Sequence, residues 1–290
     1  MSAPNIEIAL MKDWAKHLRS ELAADGVHLP ASISDHEVCV KYYGYQMRFP
    51  VARPRTIHKP PGFACPPLCA KGLAQLEKKI SAGDDLRPHL SKGAVDLNRQ
   101  DKMLLEWGIY HFHLGETTEP KDPRYIARTG NLLYARLTTN DAYIIGVFSH
   151  GAWSNDDLVR VLHDNWPDSI QNFRFNGVQG LARQFSPADR TKLRNADINS
   201  AIEISPGVVY GSLGGGFALS GDSASAVLKS NRCHHWFTDA ERRVRESAPR
   251  WTVSAKNPTG WFRFQLEISG GSFYAVDAAQ DVRLNLGVPS

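Results

Sequence analysis

Two histidines stand at alternate positions in the segment WGIYHFHLG, residues 107 to 115, which is predicted to form a strand. Because successive side chains of a strand point to opposite faces, His111 and His113 share one face of it. Imidazole exchanges protons near neutral pH and also binds metal ions, so the pair suits either acid–base chemistry or a metal site. The opposite face is predicted to seal a core and consists of Tyr110, Phe112 and Leu114.

Two further predicted strands, at 131–138 and 142–149, extend this unit into an antiparallel sheet. The short sequence TND at 139–141 joins them as a hairpin. If the three strands pair, the face that carries the histidines collects polar side chains from each strand, and we expect this face to be accessible. These side chains are the candidate catalytic residues, namely His111, His113, Tyr134, Arg136 and His150.

Three interpretations of this face remain open. The imidazoles of His111, His113 and His150 could bind a zinc ion and leave one position for water, as in a zinc-dependent hydrolase. Alternatively, the site acts without a metal: a general base takes the proton of a ribose 2′-hydroxyl, an acid protonates the leaving 5′-oxygen, and Arg136 stabilises the developing charge. The third interpretation is a polar sheet face that is half exposed or used for binding. We predict the metal-free site, without a cofactor.

Residues 38 to 76 contain no Asp or Glu and interleave cationic with aromatic side chains. Cations attract phosphates and aromatic faces stack on bases, so this composition suits a track for single-stranded nucleic acid. A proline-stiffened connector whose aromatic side chains pack on the body is an equally consistent alternative. The candidate nucleic-acid-binding residues of this segment are Lys41, Arg48, Arg53, Arg55 and Lys59.

The order of the segments HFHLG, RTGNLLYARL and AYIIGVFSHGAW resembles the compact antiparallel sheet of the RelE and HigB type bacterial toxins. The resemblance covers about residues 105 to 166. It implies a metal-independent ribonuclease with a toxin or defence role. It further implies that Arg128 and Arg136 contact phosphate, that Tyr134 lies near the scissile bond and that His150 ends the last strand. Arg128 thereby joins the candidate nucleic-acid-binding residues.

Two other segments suggest further chemistry. The glycine-rich stretch 211–228 could hold a phosphate on backbone N–H groups ahead of a helix, but it has neither the lysine of a P-loop nor the spacing of a dinucleotide fingerprint. We predict instead a turn packed closely against other backbone.

Cys65 and Cys69 are one residue further apart than the usual zinc-binding pair, and no second pair follows, so we predict thiols without a metal.

The hydropathy pattern predicts an α+β fold with a central, mostly antiparallel sheet and flanking helices. Helices are expected at 6–24, 68–81, 154–166 and 222–247, with Ser154 as the N-cap of the third. Strands are expected at 37–49, 108–114, 131–138, 142–149, 261–268, 272–277 and 281–286. We place the candidate site in an N-terminal α+β domain, 1–167. A C-terminal α+β part, 168–290, is either distinct from that domain or continuous with it.

The chain has 290 residues, is 42% hydrophobic and carries a net charge of +4, so it is long enough to bury a full core. No apolar run approaches the roughly 18 residues that span a bilayer, and the beginning lacks the pattern of a signal peptide. We therefore expect a cytoplasmic protein without a membrane partner. Its expected partner is RNA, single-stranded DNA or another protein, and a non-catalytic binding module is the alternative to an enzyme.

Overall fold

The computed structural model describes residues 5–151, 156–247 and 260–289. Over these residues the chain is an α+β protein whose sheets are mostly antiparallel, as the sequence predicts. Its internal contacts divide it into two compact units, of which one combines Met1–Gly44 with Ala226–Ser290 and the other is Tyr45–Ser225. The two ends of the sequence therefore belong to one unit. Residue 168, where the sequence suggests a boundary, lies inside the second unit.

The helices and strands follow one another in an irregular order, joined in places by short 3-10 turns. In chain order they are β1 (Asn5–Ile8), α1 (Leu10–Ala24), α2 (Asp35–Gln46), β2 (Thr56–His58), α3 (Ala70–Ala82), α4 (Lys102–Trp107), β3 (Ile109–His113), β4 (Thr118–Glu119), β5 (Asp122–Ile126), β6 (Asn131–Leu137), β7 (Asp141–Ser149), α5 (Asp157–Asn165), α6 (Pro187–Asn195), β8 (Ile202–Ser205), β9 (Val208–Tyr210), α7 (Ala224–Ser247), β10 (Trp261–Ser269), β11 (Ser272–Asp277) and β12 (Val282–Gly287). Within the described ranges, no helix is both long enough and apolar enough to cross a bilayer.

The first unit is built on a four-stranded sheet of order β1-β10-β11-β12, in which β1 runs parallel to β10 and the other pairs are antiparallel. Residues 6–8, predicted as the first turn of a helix, belong to β1 instead because this strand pairs with β10 from the far end of the sequence. Helix α1 begins at Leu10 and buries Leu18 and Leu22 on one face, since residues four apart lie on the same side of a helix. The three predicted C-terminal strands are confirmed.

The second unit contains the sheet that carries the two histidines, with strand order β2-β7-β6-β3. The predicted antiparallel pairing of β3, β6 and β7 is confirmed, and His111 lies opposite Tyr134 in the register. The prediction of an accessible face is wrong, because both faces of the sheet are covered. Phe112 is buried on one face, and on the other Tyr134 packs in a core with residues of α5, namely Leu158, Val159 and Leu162.

The segment 37–49 was predicted as a strand, but the structure forms helix α2 there. The local reason is a capping box: the Ser34 hydroxyl accepts from the Glu37 N–H, while the Glu37 carboxylate accepts from the Ser34 N–H. Cys39 and Tyr43, four residues apart, are both buried, which is the spacing of a helix face. The β-branched and aromatic composition therefore predicts a strand wrongly. The motif S-x-x-E, in contrast, indicates the start of a helix.

Three polar stretches contain elements that the hydropathy pattern did not predict: the short helix α4, the hairpin β4–β5 and helix α6. Helix α6 has local signals, because Ser186 and Asp189 form a capping box and Pro187 occupies the first turn. The helix predicted at 154–166 is present as α5, which starts at Asp157, and the proposed N-cap Ser154 lies outside the described residues.

The glycine-rich stretch packs against the end of α4, as predicted. The N–H groups of Gly214 and Gly216 donate to the carbonyls of Glu106 (3.0 Å) and Leu105 (2.8 Å). These are carbonyls of the last helical turn, which have no partner within the helix. A Cβ at Gly214 would lie 2.1 Å from the carbonyl oxygen of Leu104, so only glycine fits there. These two N–H groups therefore already donate to carbonyls and are not available to bind a phosphate.

We expect Gly214→Ala to lower the free energy of unfolding by about 1–3 kcal/mol, because the added methyl must push α4 away from the turn. Chemical denaturation monitored by circular dichroism measures the change. Gly130→Ala is the matched control, since a Cβ there meets no atom within 4 Å and the variant should match the wild type. Equal stability of the two variants would contradict the proposed contact.

Candidate functional site

A cavity of about 550 Å³ opens beside β3, the edge strand of its sheet. We call it the strand-edge cavity. Its walls come from β3, α4, α6 and the segment before α4. Among the described residues that line it, one side chain is acidic, Asp101, and one is a histidine, His111. Four lining side chains are cationic, namely Arg48, Arg99, Lys102 and Arg194. Lys102 forms an ion pair with Asp197 at 2.8 Å.

The carboxylate of Asp101 connects the start of α4 with His111. Its Oδ1 accepts from the backbone N–H of Leu104 at 3.0 Å and so caps the helix, whereas Oδ2 lies 3.3 Å from Nδ1 of His111. A carboxylate facing Nδ1 favours the tautomer that carries its proton on that nitrogen. Nε2 then keeps its lone pair, so His111 is arranged as a proton acceptor. The sequence analysis missed Asp101, although an Asp directly before a helical segment is a recognisable N-cap.

Burial decides the charge state of His111, which is 8% exposed. Desolvation lowers the pKa of His111 below its usual value, and the nearby His150 lowers it further, while Asp101 acts in the opposite direction. The ring is therefore neutral at physiological pH, which is the form a general base requires.

The cavity cations differ in whether a carboxylate balances their charge. Arg48 donates to the backbone carbonyls of Ala94 (3.1 Å) and Asp96 (2.7 Å), so these bonds fix the guanidinium without cancelling its charge. Burial lowers the pKa of Arg48 while nearby carboxylates, Asp101 foremost, raise it. Arg99 is largely exposed and lies 3.4 Å from the carboxylate of Asp96. Of the four lining cations, Arg48 is therefore the one held by neutral carbonyls, and its charge would attract an anionic ligand.

A buried polar network supports the cavity wall formed by α6. Arg194 pairs with the buried carboxylate of Glu106, and its guanidinium also lies 4.5 Å from the ring centre of Trp107. Ser200 donates to Glu106 at 3.1 Å and accepts from Arg190 at 3.2 Å. Because a buried charge requires compensation, this network fixes the position of α6 relative to α4.

We expect Glu106→Gln to lower the free energy of unfolding by about 3–5 kcal/mol, since Arg194 would keep its charge in the interior without a carboxylate. Urea denaturation at neutral pH measures it. Glu246→Gln, which breaks the exposed pair with Arg242, is the matched control and should leave the unfolding midpoint unchanged. A Glu106→Gln variant as stable as this control would show that the network contributes nothing.

His113 lies deeper than the sequence predicts, with 4% of its surface exposed, and its Nδ1 forms no hydrogen bond. Its backbone carbonyl accepts from Nδ1 of the fully buried His89 at 2.9 Å, if that nitrogen carries the proton. Desolvation lowers the pKa of His113 to about 4, and the charges of Arg128, His111, His150 and His89 add to this effect. His113 is therefore a neutral, buried ring that belongs to the framework of the site.

The buried state of His113 predicts a loss of stability in acid. In the unfolded chain a histidine takes up its proton near pH 6.5, whereas folded His113 resists protonation down to about pH 4. Its contribution to stability is therefore complete above about pH 6.5 and falls as the pH drops toward 4, by about 3 kcal/mol. Denaturant titrations at pH 7 and pH 4 measure this loss.

His113→Gln should reduce the loss between these two pH values, because glutamine does not titrate. His28→Gln, at an exposed position, is the control and should retain the full loss. Identical pH profiles for wild type and His113→Gln would contradict the assignment.

The remaining candidate catalytic residues lie apart from the cavity or at its margin. Tyr134 is 0% exposed and belongs to the core of the second unit. Arg136 is buried, donates to the carbonyl of Leu213 at 3.4 Å and lies 5.2 Å from the ring centre of Phe173. His150 is exposed and directly precedes Gly151, which lines the cavity. Catalytic roles for Tyr134 and Arg136 stay predictions that their burial does not support.

The candidate nucleic-acid-binding residues differ in burial, in their partners and in the unit to which they belong. Arg55 is buried and donates to the carbonyls of Thr138, Arg53 and Val51, as a structural arginine does. Lys59 forms an ion pair with Glu77 at 2.8 Å. Lys41 is half-buried on α2 in the first unit, whereas Arg53 and Arg128 are exposed in the second unit. Arg48 alone of these residues lines the cavity.

Comparison with protein-family models, with curated proteins and with solved structures finds no match for this chain. Over residues 5–151, 156–247 and 260–289, no three His, Cys, Asp or Glu side chains are arranged to hold a metal ion. The predicted zinc set of His111, His113 and His150 therefore has no geometric support. The site is defined by the pair of Asp101 and His111, together with Arg48 in the same cavity.

Proposed function

We propose that this chain is a nucleic-acid-directed protein that binds a phosphate-bearing unit of single-stranded RNA in the strand-edge cavity and cleaves it by metal-independent acid–base chemistry. The observation that carries the proposal is the pair of Asp101 and His111, 3.3 Å apart, in a cavity that Arg48 also lines. A ribonuclease of this kind is consistent with the toxin or defence role that the toxin resemblance implies.

The size of the cavity supports a single nucleotide as its occupant. A volume of about 550 Å³ falls within the usual range for a small-molecule pocket and is far too small for a duplex. A nucleotide in an unpaired strand can turn out of the stack and enter such a pocket. The guanidinium of Arg48 would then attract its phosphate, as electrostatic attraction acts in nucleic-acid binding generally.

The neutral His111 supports base catalysis on the ribose. Nε2 would take the proton of a 2′-hydroxyl, the resulting oxygen would attack the adjacent phosphorus, and the bond from phosphorus to the 5′-oxygen would break. Asp101 would stabilise the imidazolium that forms, because its carboxylate already faces Nδ1. Arg48 would stabilise the additional negative charge on the phosphate in the transition state.

We expect His111→Gln to lower the rate constant for cleavage of single-stranded RNA by about 10²- to 10⁴-fold, since it removes the proton acceptor. Asp101→Asn should also reduce the rate, while it keeps α4 intact because asparagine caps helices equally well. Gel analysis of a labelled oligonucleotide under single-turnover conditions measures the rates.

Lys78→Ala, on an exposed face of α3, removes one positive charge outside the cavity and should retain full activity. A substrate whose cleavage site carries 2′-deoxyribose should resist cleavage, because it lacks the nucleophile. Full activity of His111→Gln would refute the proposed base. Salt-sensitive RNA binding without cleavage by the wild type would instead favour the non-catalytic binding module.

A further inference from the structure

Carboxylates balance the charge of two of the cations that line the strand-edge cavity. Arg194 pairs with the buried Glu106, and Lys102 pairs with Asp197 at 2.8 Å. Arg48 differs from both, because its guanidinium donates to backbone carbonyls that leave its charge intact. An anionic ligand in the cavity would therefore meet Lys102 as a cation that already has a counter-ion.

The ammonium of Lys102 is held at the C-terminal end of α6. Its Nζ donates to the backbone carbonyl of Asn195 at 2.9 Å and lies 2.8 Å from Oδ1 of Asp197. The last carbonyls of a helix have no partner within it and carry partial negative charge, so they attract a cation. Lys102 keeps 29% of its side chain exposed and Asp197 keeps 34%, so solvent reaches the pair. A ligand phosphate would have to compete with Asp197 for this ammonium.

Asp197 occupies a backbone position that favours glycine. Its φ is +56°, in the left-handed region, directly after the end of α6. The helix ends in a Schellman motif, in which the N–H of Asp197 donates to the carbonyl of Arg194 at 3.2 Å and the N–H of Ile198 donates to that of Leu193 at 2.9 Å. Glycine adopts this conformation without strain, whereas aspartate adopts it at a cost. Strain of this kind points to a role for the side chain, which here is a carboxylate.

The second oxygen of this carboxylate lies where a glycine leaves room for it. A Cβ at Gly221 would lie 2.9 Å from Oδ2 of Asp197, so a larger residue at 221 would push the carboxylate away. Because Oδ1 faces Lys102, the carboxylate is held between the ammonium and Gly221. The close approach of the two charges therefore depends on the packing around Asp197 as well as on their attraction.

We propose that the pair of Lys102 and Asp197 makes the strand-edge cavity selective for a phosphodiester against a terminal phosphate monoester. The inference rests on the proposed function and names the kind of phosphate that the cavity accepts. Without the carboxylate of Asp197, Lys102 would offer the ligand a second positive charge. With it, Arg48 supplies the charge that a phosphate meets.

The two kinds of phosphate differ by nearly one negative charge. A phosphodiester carries one charge at neutral pH, whereas a monoester, with a second pKa of about 6, carries about 1.5 to 2. Arg48 can balance the first charge. The additional charge would meet an ammonium that is already paired and the carboxylates of Asp101 and Asp197, which repel it. The cavity therefore suits an internal linkage of the strand, which is the bond that the proposed reaction breaks.

Binding of matched nucleotides tests the proposal. The probes are 2′-deoxynucleoside 3′-phosphates with each of the four bases and their methyl esters, which differ in phosphate charge and lack the nucleophile for cleavage. Isothermal titration calorimetry at about pH 7.5, where the monoester is mostly doubly charged, measures both affinities. The wild type should bind the monoester no more tightly than the methyl ester. Asp197→Asn should bind the monoester about 5- to 20-fold more tightly than the wild type does, with a smaller gain for the methyl ester.

Lys102→Met, added to Asp197→Asn, should remove the gain, because the gain comes from the released ammonium. Asparagine also adopts the left-handed conformation, so the end of α6 should keep its shape in both variants. Asp164→Asn is the matched control and should leave both affinities unchanged. It removes an exposed negative charge of α5 that does not line the cavity.

A wild type that prefers the monoester would overturn the selectivity and leave the proposed function standing. The same holds for an Asp197→Asn variant in which the ratio of the two affinities is unchanged, and for a gain that survives Lys102→Met. A wild type that binds neither probe with any base would refute the proposed phosphate site, and this inference with it.

Discussion

The carboxylate of Asp101 is the group on which the geometry of the candidate site depends. One oxygen caps α4 and the other faces His111, so the start of a six-residue helix and the orientation of the imidazole are fixed together. The same helix supplies Glu106 to the buried network and ends on carbonyls that the glycine-rich turn occupies. Both ends of α4 are therefore anchored, and the cavity wall that it forms is held in place from each side.

The second unit buries or half-buries several polar side chains, and three of them are accommodated by different means. Glu106 is balanced by Arg194, and Arg48 is held by backbone carbonyls. His113 stays neutral because burial lowers its pKa. These solutions differ in their electrostatic result: the ion pair cancels charge, whereas carbonyl partners preserve it. At the cavity, Arg48 keeps its charge because its partners are carbonyls.

Local signals in the sequence were sufficient for much of the fold. The alternation in β3, β6 and β7 and the turn between the last two predicted both the strands and their pairing. The capping boxes at Ser34 and Ser186 are local as well, and they would have identified α2 and α6. The candidate site was predicted in part: His111 and Arg48 were named from the sequence, whereas Asp101 was not. The partner of Asp101 is His111, which lies ten residues further along the chain. Helix α4 stands between them, and the hydropathy pattern does not reveal its position.

The sequence by itself determined the element types over most of the chain, the mostly antiparallel character of the sheets and the shared face of His111 and His113. Only the tertiary structure decided that this face is buried, because burial depends on what packs against a sheet, and the side chains of α5 that cover it lie beyond the strands in the sequence. It also decided that β1 pairs with β10, since no local periodicity specifies a partner at the other end of the chain. Alternation assigns side chains to faces, but the long-range packing of apolar groups determines which faces exclude water.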